Sequence, residues 1–344
     1  MVNKIILEEV EGICKNIDIN ELNDSAILVT GASGLLGSTF ITCLYYLKTM
    51  GCRFTVFAQT LSDFPPHIFS IIQKGGFNVI QADLANFNNY SNLPEVDLII
   101  HAAGYAQPAR FLANPAATLQ VNTSATIALL NNLKKGGKFL FLSSAEVYCG
   151  LTVGPFSEEM IGSTTPFHPR AAYIEGKRCG EAICSSFRAS GVLAKVVRLG
   201  DVYGPGTRKH DKRALNNFIE KALLQGSIDL LDYGSAVRTY CYISDAVELL
   251  WKVLLYGIEP VYNIGGRSTC SIAELAQKIG YLTETDVVFP KTSKGIVGAP
   301  PLLELDVTRV ETEFHKLSYV SLEDGLRATI AWQRELYAER GIDG

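Results

Sequence analysis

Ala26-Ile-Leu-Val-Thr30 followed by Gly31-Ala-Ser-Gly34-Leu-Leu-Gly37 decides the fold. The first five residues form a compact apolar run of strand character, and from Leu35 to about Leu47 the apolar residues recur at helical spacing. Between strand and helix stand three glycines at G-x-x-G-x-x-G. Glycine there lets the backbone turn sharply. It also lets a diphosphate reach the helix N-terminus, whose free N–H groups and dipole favour anions. An ordinary tight turn is the competing reading, and a bare glycine triplet would not decide between them. Its place at the first strand–helix junction of an alternating chain favours a dinucleotide.

Working outward, short apolar runs recur at Phe54–Ala58, Val79–Ala82, Leu98–Ala102, Phe139–Leu142 and Ala194–Leu199. Helical stretches such as Ala116–Leu133 and Ala171–Ser190 lie between them. Strands that alternate with helices and are apolar throughout belong in a parallel sheet covered on both faces. The expected fold is α/β, a doubly wound parallel (Rossmann) sheet with a smaller C-terminal α/β domain for substrate. Ile6, Val10, Ile13 and Ile17 predict an amphipathic helix ahead of it. The expected division is a helical extension over 1–24, a dinucleotide domain over 25–199 plus about 237–265, and a substrate domain over 200–236 and 266–344. The pattern changes after Leu199, at Tyr203-Gly-Pro-Gly206 and the basic loop Arg208-Lys-His-Asp-Lys-Arg213.

The 344 residues carry 31 Lys plus Arg against 35 Asp plus Glu, a formal charge of −4. No basic face for nucleic acid or anionic lipid is expected from that balance. The 8 cysteines are scattered, with no C-x-x-C and no His pair at zinc spacing, so no metal site is expected. Acidic residues crowd the first 25 positions, and no apolar stretch is long enough to span a bilayer. The expectation is a cytoplasmic protein without a membrane partner.

Tyr173-Ile-Glu-Gly-Lys177 puts a phenol and an ammonium at i and i+4, on one helix face. The ammonium is expected to lower the phenol pKa and make it usable as a base. Upstream, Leu142-Ser143-Ser144-Ala145-Glu146 closes an apolar strand at the end where α/β ligands bind. Ser144 and Glu146, two apart, share a face if that segment stays extended. Asp83, after the third strand, is either an acceptor for an adenine amino group or a turn residue. The second strand ends Phe57-Ala58-Gln59-Thr60 with neither an acid for ribose hydroxyls nor an Arg for a 2′-phosphate, which leaves NAD and NADP both open.

The glycine turn, His101-Ala-Ala-Gly104, Ser144, Tyr173/Lys177 and Arg198-Leu-Gly-Asp-Val-Tyr-Gly-Pro205 together resemble the extended short-chain dehydrogenase/reductases. These are nucleotide-sugar epimerases, dehydratases and decarboxylases, and the resemblance runs from about Ala26 to about Trp332. It implies bound NAD, with Tyr173 as base and acid at a sugar hydroxyl, Ser144 on the same oxygen and Lys177 on the nicotinamide ribose. It further implies that Gly31, Ser33, Gly34, Leu35, Leu36, Gly37, Asp83, Leu84, Ala102, Ala103 and Gly104 hold the cofactor. A homodimer paired through two helices of each subunit is implied as well.

Pro169-Arg-Ala-Ala-Tyr-Ile-Glu-Gly-Lys-Arg178 is similar to the corresponding stretch of UDP-glucuronate decarboxylases, as are Glu146 and Arg238 in Val237-Arg-Thr-Tyr-Cys-Tyr-Ile-Ser-Asp245. The dehydratases carry an Asp-Glu pair where this chain has Ala145-Glu146, so water elimination is disfavoured. Two departures stand out. The family's asparagine after strand six is Asp201, and Pro300-Pro-Leu-Leu-Glu-Leu-Asp306 lacks an arginine often present in relatives. Asp201, Asn217, Phe218 and Arg238 are the candidate substrate residues, the basic loop 208–213 is either a further grip on nucleotide and diphosphate or a solvated loop, and a UDP-sugar is favoured. The expected activity is a UDP-glucuronate decarboxylase-like reaction through a 4-keto intermediate. A 4-epimerase is the alternative, and a catalytically silent dinucleotide-binding module is a second alternative of a different class. No G-x-S-x-G elbow supports a hydrolase.

Overall fold

The computed structural model describes residues 4–15, 17–292 and 295–338. The chain opens with α1 (Lys4–Cys14), β1 (Ser25–Thr30), α2 (Leu35–Thr49), β2 (Phe54–Thr60), α3 (Pro66–Gly75), β3 (Asn78–Gln81) and β4 (Val96–His101). It continues through α4 (Pro108–Ala113), α5 (Pro115–Asn122), α6 (Ser124–Asn131), β5 (Leu133–Ser144), α7 (Ala171–Ala189) and β6 (Leu193–Leu199). Then come β7 (Asp201–Tyr203), α8 (Ala214–Gln225), β8 (Ser227–Asp229), β9 (Val237–Tyr242), α9 (Ile243–Tyr256), β10 (Val261–Ile264) and β11 (Ser268–Ser271). The last elements are α10 (Ile272–Thr283), β12 (Asp286–Val288), β13 (Leu302–Leu303), α11 (Thr308–Phe314) and α12 (Leu322–Ala338).

Seven strands make one sheet in the order β10-β6-β5-β4-β1-β2-β3, every pair parallel. Its central strands are buried on both faces: Ile27, Leu28 and Val29 of β1 and Phe139, Leu140 and Phe141 of β5 have no exposed surface. That two-sided burial is why these runs read as continuously apolar rather than alternating. The strand order reverses between β1 and β4, and the crevice at such a switch point, outside the carboxyl ends, is where open α/β sheets bind ligands. A second sheet orders β11-β9-β13 with β7 also on β9, and β8 pairs β12. Within 237–265, β10 joins the large sheet, whereas β9 belongs to the second.

The N-terminal helix forms where the spacing predicts it and buries Ile6, Val10 and Ile13. The helix expected over Ala116–Leu133 divides at Thr123 into α5 and α6, and Leu133 already begins β5. Thr118, Asn122, Thr123 and Thr126 each bond the carbonyl four residues back, at 2.7–2.9 Å. Such back-bonding bends helices. Among the described residues no helix is long and apolar enough to cross a membrane.

Candidate active site

At the carboxyl end of β1 the glycines divide the work. Gly31 adopts φ 63°, and a Cβ there would lie 2.7 Å from both the Ala102 carbonyl and the Ala103 nitrogen of the neighbouring strand end. At Gly37 a Cβ would meet the Gly31 carbonyl at 2.2 Å, so α2 can pack on the turn only with glycine there. Gly34 is different: the nearest atom to its would-be Cβ is the Gly31 carbonyl at 3.4 Å. Protein packing leaves that side of the turn open. No side chain caps the first turn of α2, so its N–H groups are available to an anion. The turn therefore fits a diphosphate.

Beside it opens a cavity of about 500 Å³. It brings together Leu36, Ala102, Ala103 and Gly104 with Ser144, Glu146, Tyr173 and Lys177, and it reaches Asp201, Asn217, Phe218 and Arg238. Gly31, Ser33, Gly34, Leu35, Gly37, Asp83 and Leu84 lie outside its walls. Asp83 Oδ1 accepts from the Ala85 N–H at 2.8 Å, forming its own turn, and Leu84 is buried in the core.

Ser144 ends β5 and Tyr173 lies in the first turn of α7, and both side chains face the cavity. Lys177, one helical turn on, donates to the Leu142 carbonyl at 2.7 Å and lies 5.9 Å from the Tyr173 ring centre. The i, i+4 spacing predicts a lowered phenol; the structure reverses that sign. Burial pushes Tyr173 up, with the Glu146 charge adding to it, against the opposing pull of the Ser144 hydroxyl and the Arg170 charge. Lys177 is itself pushed down to about 7 by burial, against the pull of Glu181. An ammonium half way to losing its proton is a weak field for a neighbouring phenol.

Glu146 does not continue the strand. The chain enters a 3₁₀ turn at Ala145–Tyr148, whose Glu146 N–H donates to Ser144 Oγ at 3.2 Å. Glu146 Oε1 accepts from Arg170 at 2.5 Å, while Oε2 and Arg170 Nε are buried without a partner. Burial raises the Glu146 carboxyl, opposed by Arg170 and Arg238. Asp201 is likewise raised by burial, opposed by Arg238, Arg213 and Arg170. It lies deep beneath the molecular surface yet exposes its side chain to the cavity. In both, burial favours the protonated form and the arginines favour the charged one. The Arg238 guanidinium donates to its own neighbour, the Val237 carbonyl, at 2.7 Å and lines the cavity.

Over residues 27–265 the sequence matches the NAD dependent epimerase/dehydratase family. The chain belongs to that family. A UDP-glucuronic acid decarboxylase 1 of Danio rerio is 30% identical over 328 residues, 92% of this chain and 75% of that protein. The solved structure of DesIV, a dTDP-glucose 4,6-dehydratase from Streptomyces venezuelae with NAD and TYD bound, superposes with a TM-score of 0.78. It is 23% identical, over 91% of this chain and 98% of that one. The UDP-glucuronic acid 4-epimerase of Bacillus cereus, in complex with UDP-glucuronic acid and NAD, gives 0.72 at 24% identity, over 91% and 100%. These two show a shared fold.

As a member of the epimerase/dehydratase family the chain uses NAD, which the glycine turn and the open face of Gly34 fit. Two contributors to the site, Arg170 and Phe111, escaped the sequence reading. Arg170, the partner of Glu146, stands three residues before Tyr173 inside the quoted Pro169–Arg178 stretch, so local spacing could have found it. Arg213, in the candidate basic loop, lines the cavity and is held to Asp211 at 2.6 Å. Phe111 stacks on Tyr173, with ring centres 4.6 Å apart, and faces Arg170 at 5.5 Å. Nothing in the sequence announces that contact across 62 positions.

Proposed function

We propose that this epimerase/dehydratase-family enzyme decarboxylates UDP-glucuronate through a 4-keto sugar. The observation that carries it is one cavity holding Tyr173 and Ser144, a Glu146 with one buried oxygen unpartnered, and the Arg238 cation. Tyr173 removes the proton from the C4 hydroxyl, and Ser144 holds the same oxygen. NAD bound at the glycine turn would supply a reversible hydride acceptor for C4 and a positive charge that favours ionisation of the Tyr173 phenol. A C6 carboxylate is then β to the ketone and leaves as CO₂. Arg238 steers that carboxylate, and Glu146, fixed by Arg170, handles the proton that replaces it at C5.

Lys177 holds the nicotinamide ribose, and Asp201, Asn217 and Phe218 meet the nucleotide or sugar. The enzyme works as a cytoplasmic homodimer. Its nucleotide half comprises 25–199 and about 237–265, its substrate half 200–236 and 266–344, and 1–24 is an extension. Ala145, where dehydratases have an aspartic acid, disfavours water elimination. Incubation with a panel of UDP-, dTDP-, GDP- and CDP-sugars, uronates included, followed by mass and proton NMR, tests this reading. Loss of CO₂ from UDP-glucuronate supports it; an isomer of unchanged mass replaces it with 4-epimerisation; no turnover on any sugar favours a silent module.

A further inference from the structure

At the carboxyl end of β2, where the adenosine ribose on a Gly31–Gly37 turn belongs, the chain has no carboxylate. Gln59 stands there with both ends of its amide engaged. Its Oε1 accepts from the Gly31 N–H at 3.1 Å, and its Nε2 donates to the Ala82 carbonyl at 2.6 Å. The Thr60 hydroxyl is buried against Ser33 Oγ at 2.8 Å. Neither residue offers a free acceptor to the ribose diol, and the nearest carboxylate, Asp63, comes three residues later beside Arg208.

Arg208 crosses this same place from the other half of the molecule. Its Nε donates to the Ser33 carbonyl at 3.0 Å, one terminal nitrogen to Ser62 Oγ at 3.2 Å, and the other to the Asp63 carbonyl at 2.8 Å. One side chain thus ties the glycine turn to the segment just past β2. The backbone behind it is anchored too. Gly206 packs against Leu35, with a would-be Cβ 3.3 Å from that side chain, and the Thr207 carbonyl accepts from the Trp332 indole at 2.9 Å. Four and five residues on, Lys212 and Arg213 line the substrate cavity.

We propose that loop 204–213 is a strap over the adenosine half of the bound dinucleotide and that Arg208 is its latch. Arg208 is a positioning residue that retains cofactor between turnovers. The inference rests on the dinucleotide reading of the glycine turn. A planar guanidinium can meet three acceptors in fixed directions, which a lysine ammonium cannot. Because the strap continues into Lys212 and Arg213, a nucleotide in the substrate cavity holds the latch shut, and the coupling is reciprocal.

The test loads wild type, Arg208→Ala, Arg208→Lys and Ser62→Ala with radiolabelled NAD and follows loss of label into excess unlabelled NAD, with and without UDP. Melting curves establish that each variant is folded. Release from Arg208→Ala is expected to be about tenfold or more faster than from wild type, with Arg208→Lys between them and Ser62→Ala about two- to threefold faster. UDP slows release from wild type and not from Arg208→Ala. Release from Arg208→Ala within about twofold of wild type overturns the latch. If Arg208→Ala does not fold, unchanged release from Ser62→Ala overturns it. A wild type that takes up NAD but loses it on mixing overturns the latch alone; one that takes up none overturns the dinucleotide reading with it.

Discussion

Glu146 and Arg170 form a pair whose charges are almost wholly withdrawn from water, at 14% and 7% side-chain exposure. Removing one partner of such a pair leaves the other uncompensated, so each should be altered conservatively. Glu146→Gln keeps the shape and loses the charge. It is expected to slow decarboxylation by about 10²-fold or more and to leave hydride removal from C4 largely intact, measured as CO₂ release against transfer of deuterium from C4-deuterated substrate to bound NAD. Tyr173→Phe is expected to lower both by about 10²–10⁴-fold without loss of bound NAD. His101 tests the electrostatics of the neighbouring strand end. It is fully buried between Thr30 Oγ1 at 2.8 Å and the Val121 carbonyl at 3.1 Å, and burial, with the Lys177 charge, pushes it down to about 3. Between about 3 and the ordinary histidine value near 6.5 the unfolded chain binds more protons, so stability falls as pH drops through that window. His67, pushed down to about 4 mainly by burial, acts with the same sign. Denaturant titrations from pH 7 to pH 4 should show a shallower loss for His101→Gln than for wild type, by up to ~1.4 kcal/mol per pH unit in the window. The Tyr173/Lys177 pair was legible because its i, i+4 relation is local, and Phe111 was not because only the fold brings it to Tyr173.

At the scale of elements, the β1–α2 junction separates what packing requires from what the ligand requires. Gly37→Ala puts a Cβ 2.2 Å from the Gly31 carbonyl and is expected to yield little folded protein. Gly34→Ala meets nothing closer than 3.4 Å and is expected to melt within a few degrees of wild type while losing about tenfold or more in NAD affinity. Thermal melts together with NAD titration check both. The strands of the large sheet were legible where they are continuously apolar. The beginning of β5 was not: Lys134-Lys-Gly-Gly137 is polar, Gly136 has φ 81°, and the register with β4 shifts there. The break at Thr123 was hidden too, because the apolar period runs on through it while hydroxyl and amide bonds to the i−4 carbonyls bend the backbone. The 3₁₀ turn at Ala145–Tyr148 similarly replaced the extended backbone that Ser144 and Glu146 were expected to share.

Across the whole molecule, alternation of strands and helices told the sheet type, and the glycine turn told which end of it carries the chemistry. The two smaller sheets were less legible, since β7, β8, β12 and β13 are only two or three residues long. Exposed Leu112, Leu119 and Ile127 run along α4, α5 and α6 beside α7, an apolar face suited to a twofold partner. Light scattering at micromolar concentration should give twice the 37.5 kDa chain mass, and Ile127→Glu should shift it toward the monomer. The central claim is that hydride leaves C4, CO₂ departs from the ketone, and the same hydride returns. UDP-glucuronate carrying deuterium at C4 tests it most directly, with the product read by mass and proton NMR. The account predicts a UDP-pentose lighter by one CO₂ that keeps its deuterium at C4, whereas a product that retains the carboxylate, or one that has lost CO₂ and carries hydrogen at C4, would contradict it.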